Sequence, residues 1–75
     1  MSDITNYENL ANAIIVQAAK DYARALRRLK KHAHDREAGY IKRDCEDFFR
    51  SDWFQILTNL DGELLMTKIQ KEVSA

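Results

Sequence analysis

Lys20, Arg24, Arg27 and Lys31 follow one another at spacings of four, three and four. On a helix turning 100° per residue they share one face. Neighbouring like charges on a helix repel by roughly 0.2–0.5 kcal/mol per pair, so a stripe without counter-charge suits an anionic partner. Arg28 and Arg36 lie close by, and Tyr40 offers a ring able to stack on a base. Lys20, Arg24, Arg27, Arg28, Lys31, Arg36 and Tyr40 thus form a candidate surface for phosphates of a nucleic acid or nucleotide. The competing explanation is internal. Cations near a helix C-terminus complement its dipole, and Asp44, Glu46 and Asp47 can neutralise the stripe within the molecule or across a dimer. No glycine-rich phosphate loop or helix-turn-helix spacing accompanies it.

His32 and His34 are placed as two histidines that can converge on zinc. Cys45 joins them only if a second helix folds back, with Asp35 or Asp44 available as a fourth ligand. Cys45 also falls on an apolar stripe, where a thiol behaves as a small hydrophobe, so neither a metal nor another cofactor is expected. No histidine stands next to Cys45 to make it a thiolate nucleophile. Asp44 and Asp47 sit one helical turn apart, but Lys42 with Glu46 and Arg43 with Asp47 have the spacing of ordinary surface ion pairs. With no Ser, His and Asp constellation either, the expectation is a non-enzymatic protein.

The densest apolar group is Phe48, Phe49, Trp53 and Phe54. Most of it is suited to filling the corner between two helices. Yet Trp53, Phe54, Ile56 and Leu57 cannot all face inward from one short helix, and Val16 lies beside the basic face, while Ile14 and Ile15 point elsewhere. Val16, Trp53, Phe54 and Leu57 are therefore the expected protein-interface residues.

The elements that must position these residues are helices. The 75 residues contain no proline and two glycines, which removes the punctuation of β-hairpins. Thr5-Asn6-Tyr7-Glu8 reads as a capping box. Tyr7, Leu10, Ala11, Ile14, Ala18, Tyr22, Ala25, Leu26 and Leu29 then mark one apolar face of a helix reaching about Lys31. Asp35 is the expected N-cap of a second helix with Ala38, Ile41, Cys45 and Phe48 inward. Ser51 or Asp52 caps a short third, and Asp61-Gly62 breaks the chain before a fourth whose apolar face is Leu64, Leu65, Ile69 and Val73. The expected fold is all-α: a small helical bundle forming a single domain over residues 1–75, with a long N-terminal helix, a second helix and two short C-terminal helices.

Net charge is zero, but the segment from Lys20 to Arg43 holds nine of the twelve basic residues and three of the twelve acidic ones. The charge balance thus gives no overall bias toward nucleic acid, and a local one at the stripe. The lone cysteine permits no internal disulfide, and no apolar run has the length or flanks of a signal peptide or membrane span. The bacterial cytoplasm, without membrane contact, is the expected compartment. A core this small gains from self-association, so a homo-oligomer is anticipated.

Two runs, Ala13-Ile14-Ile15-Val16-Gln17-Ala18-Ala19-Lys20-Asp21-Tyr22 and Phe48-Phe49-Arg50-Ser51-Asp52-Trp53-Phe54 continued by Leu57-Thr58-Asn59-Leu60-Asp61-Gly62-Glu63, resemble a family of short uncharacterised phage and prophage proteins of low-GC Gram-positive bacteria. The resemblance covers most of the chain and carries no assigned chemistry. It implies a phage accessory protein that binds a host or phage protein, an inhibitor of a host defence such as CRISPR being one instance. Nucleic-acid or nucleotide binding by the basic stripe is the alternative.

Overall fold

A computed structural model describes the backbone of residues 3–75 and the side chains of residues 6–75. Four helices follow in order: α1 Asp3–Lys31, α2 Arg36–Phe49, α3 Asp52–Leu57 and α4 Gly62–Ser74, with no strand among the described residues. This is the anticipated all-α bundle. Each later helix starts at a side chain that accepts from its free amides: Asp35 from Ala38 N, Ser51 from Phe54 N, and Asp61 from Glu63 N and Leu64 N. The expected capping box at Thr5 falls within the span of α1, and the Thr5 side chain lies outside the described residues. Asp3 and Ile4 already have helical backbone, so Thr5 lies inside the helix, where an N-cap's extended backbone is excluded. Helix extension costs little once a turn exists, and neither residue is a breaker.

Arg28 sits beside Asp35, whereas Tyr22 meets Glu46 and Phe49, so α2 runs antiparallel to α1. Helix α4 starts against Phe49 and ends where Lys30 Nζ donates to the Val73 carbonyl at 2.9 Å, so it runs parallel to α1. Helix α3 turns across the far end. At 1.5 Å per residue α1 is about 43 Å long and α2 about 21 Å. The partners therefore cover only part of α1, in a molecule of 47 × 21 × 20 Å. That mismatch corrects the sequence expectation for Tyr7 and Leu10: both are exposed, on the part of α1 that runs past the end of α2.

Ile15, Tyr22, Cys45, Phe49, Phe54 and Met66 form the core, with Leu26, Ile41, Phe48, Leu57, Leu65 and Ile69 against it. On α1 the buried seam is Ala11, Ile15, Tyr22 and Ala25; Ile14 is only half-buried, one residue off that seam. On α4, Met66 is buried and Leu64 is exposed. Leu64 stands two residues, about 200°, from Gly62, whose backbone is pressed onto α2. The close approach explains that glycine: a Cβ there would collide with the Phe49 carbonyl oxygen and lie 2.9 Å from its carbonyl carbon. The phenylalanines lock the corner, with Phe54 edge-on to Phe48 and Phe49 at 5.6 and 5.7 Å.

Candidate functional site

A polar cluster joins α1, α2 and α4. The Tyr22 hydroxyl, on a side chain with no exposed surface, donates to Glu46 Oε2 at 2.8 Å and accepts from Gln70 Nε2 at 2.8 Å. Lys42 Nζ stands 3.0 Å from the same Glu46 oxygen, one of the two ion pairs that spacing suggested; Arg43 and Asp47 make none among the described residues. Burial pushes the Tyr22 phenol above its ordinary value, offset in part by Gln70 and reinforced by Glu46. Burial alone would raise the Glu46 carboxyl, but the hydrogen bonds from Lys42 and Tyr22 hold it below the usual range. No buried side-chain nitrogen or oxygen among the described residues lacks a partner, so the cluster fits a clamp holding three helices in register.

The metal-type residues are not brought together. His32 and His34 are exposed in the α1–α2 connection, and Cys45 points into the core about 15 Å further along α2. No group of three or more His, Cys, Asp or Glu side chains converges among the described residues. Burial pushes the Cys45 thiol up to about 11, with the Asp21, Asp44 and Glu46 carboxylates adding to it. Such a thiol is a poor nucleophile at neutral pH.

The basic residues divide into two sets. Arg28 departs from the anion-binding expectation: its Nε and Nη2 donate to the Asp35 carboxylate at 3.0 and 3.1 Å, and Nη2 lies 2.9 Å from Glu37. It ties α1 to the cap of α2. The backbone amide of Ala38, followed by Arg28, holds the Asp35 carboxyl below its ordinary value. Lys20, Arg24, Arg27 and Lys31 remain exposed, Arg24 having only a loose 3.5 Å contact with Asp21. Lys20, Arg24 and Arg27 edge a groove of about 410 Å³ between α1 and α4, floored by Val16, Ala19, Ala23, Ile69 and Val73. Arg36 and Tyr40 are exposed on α2 and line neither this groove nor the α1–α2 cleft of Asp21, Arg24, Ala25, Arg28 and Ile41. Of the seven, the groove brings together Lys20, Arg24 and Arg27, while Arg28 is engaged with Asp35 and Glu37.

The apolar expectation is also divided. Phe54 is 1% exposed, a core residue and not an interface residue, because the α2–α3 corner turns it under Phe48 and Phe49. Leu57 is half-buried against the core. Trp53 and Val16 are exposed as anticipated. Three further residues, Ile56, Leu60 and Leu64, were missed as surface groups. With Tyr7, Leu10 and Trp53 they belong to elements meeting at the end of the bundle away from the α1–α2 connection, each with 49–70% of its surface exposed. The signal available for Ile56 was its spacing of two from Phe54, which at 100° per residue puts it about 160° round the helix from that core side chain. A hollow of about 500 Å³ lies at this end under the α3–α4 connection, and Arg50 reaches across to Glu63 with Nε–Oε2 2.6 Å. It holds no buried charged group.

No protein-family model, curated protein or solved structure matches this chain. No helix among the described residues is long and apolar enough to cross a membrane.

Proposed function

We propose that this chain is a non-enzymatic protein-binding module whose docking surface is the apolar end formed by Tyr7, Leu10, Trp53, Ile56, Leu60 and Leu64. One observation carries the reading: six large apolar side chains, on the first turns of α1, on α3, on the α3–α4 connection and at the start of α4, each leave about half or more of their surface in solvent. Isolated exposed hydrophobics are ordinary, whereas a cluster containing a tryptophan is the kind of surface that supplies binding anchors. The Tyr22 hydroxyl at the centre of the clamp is paired on both sides and the cysteine is buried, features that support a structural role for both. On the phage resemblance of its sequence runs, the target is a protein of the host or the phage, in the bacterial cytoplasm, with a host-defence component such as a CRISPR effector as one instance.

The basic stripe supports the alternative reading less well. Arg28 is occupied internally, and Glu72 faces the same groove as Lys20, Arg24 and Arg27. Affinity capture from nuclease-treated bacterial host lysate, with the wild type and a Trp53→Ala/Ile56→Ala variant, separates the two. A protein held by the wild type in high salt and lost by the variant supports docking at the apolar end. Retention of nucleic acid alone, released by salt and indifferent to the variant, refutes it in favour of the stripe.

A further inference from the structure

The α1–α4 groove is a second surface, separate from the apolar end. We infer that it receives an amphipathic helix of a partner protein, carrying an apolar ridge flanked on one side by acidic residues. From Val16 to Arg27 the groove follows three turns of α1, roughly 16 Å, alongside the parallel α4. Its floor alternates small and branched side chains: Val16, Ala19 and Ala23 from α1, Ile69 and Val73 from α4. The alanines let a visiting backbone approach closely, and two adjacent helices offer the ridges against which a third packs.

The architecture leaves room for such a guest. Helices α1, α2 and α4 are long, while α3 is a six-residue cap across one end. The three long helices pack against one another in pairs, and the groove between α1 and α4 is an outer flank onto which a further helix can pack. A helix seated between α1 and α4 would cover Val16, which is otherwise half exposed.

Charge decides the chemistry of the guest. Lys20, Arg24 and Arg27 all stand on the α1 wall, and Glu72 stands on the α4 wall. A guest helix is accordingly acidic where it faces α1 and neutral or basic where it faces α4. A phosphate backbone fits less well, since the floor is apolar, no aromatic residue lines it, and Glu72 opposes a polyanion.

The test uses three fluorescent probes with the intact protein at low salt. The first is an 18-residue helical peptide with leucines in an i, i+3, i+4, i+7 ridge, glutamates along one flank and glutamines elsewhere. The second carries lysines for the glutamates, and the third is single-stranded DNA of 20 nucleotides. Three ion pairs at the rim, reversed in sign, separate the two peptides by at least about tenfold in affinity. That preference is lost in Lys20→Glu/Arg24→Glu/Arg27→Glu, kept in Lys31→Glu outside the groove, and enlarged in Glu72→Gln. All these positions are exposed, and circular dichroism verifies that each variant is folded. Equal affinity for both peptides, binding of neither, or tighter binding of the DNA overturns the inference. So does sedimentation showing a dimer that the triple variant dissolves, because a second copy would then occupy the groove. Lysate capture through Trp53 and Ile56 can succeed while the peptides fail, so the two proposals stand or fall separately.

Discussion

The two glycines make opposite predictions under the same substitution. Neither has a positive φ, so backbone strain is not the issue and Gly→Ala probes the space around Cα. At Gly62 the added methyl meets the Phe49 carbonyl, a backbone group fixed by the end of α2 rather than a side chain that can swing away. Relief requires α4 to move off α2, which loosens Met66 and Phe49 together. Overpacking of this sort costs about 1–3 kcal/mol, and contact with backbone puts Gly62→Ala toward the upper end, a large share of the stability of so small a protein. Gly39 lies within α2, and a Cβ there has nothing within 4 Å. Alanine at that position gains about 0.5–1 kcal/mol through helix propensity and a less flexible unfolded chain. Urea unfolding followed by circular dichroism measures both, with the midpoint falling for Gly62→Ala, rising for Gly39→Ala, and the slope unchanged. Shifts of the same sign, or a Gly62→Ala variant within 0.5 kcal/mol of wild type, would refute the close packing of α4 on α2.

Other consequences follow from the clamp and the cysteine. Tyr22→Phe keeps the ring contact with Phe49 but removes hydrogen bonds to Glu46 and Gln70, one of them to a carboxylate, and should cost about 2 kcal/mol; thermal melts indistinguishable from wild type would show that the clamp contributes nothing. Glu46 and Asp35 both ionise more readily folded than unfolded, so their contribution is present above the ordinary carboxylate values of 4.5 and 3.8 and is lost as pH falls through the lower folded ones. Stability measured from pH 7 down to 2.5 should therefore drop below about 4.5, less steeply in Glu46→Gln; a flat profile contradicts the pairing. A disulfide reagent at pH 8 should modify Cys45 slowly in the native protein and at the ordinary thiol rate in urea, since the thiol is buried and raised to about 11; fast native labelling would place it outside the core.

Helix number and limits were largely legible in the sequence because they depend on local chemistry. Asp35, Ser51 and Asp61 are N-caps wherever the helices finally pack, and the apolar spacing of Tyr22, Ala25, Ala38 and Cys45 marks a buried seam without knowledge of its partner. Periodicity alone could not say how far along α1 that seam would be covered. The answer depends on the lengths and directions of α2 and α4, which leave Tyr7 and Leu10 in solvent. In the same way the four spaced cations define a face from sequence, but only tertiary contact takes Arg28 out of service, sets Glu72 opposite its neighbours and floors the groove with Ile69 and Val73. Phe54 and Ile56 are both large and apolar on a six-residue helix. The angle at which α3 crosses the bundle buries one and exposes the other, and that angle is set by the aromatic corner with Phe48 and Phe49. Local rules reach about one turn along the chain, whereas the surfaces available to a partner arise from residues tens of positions apart, which only the folded packing brings together.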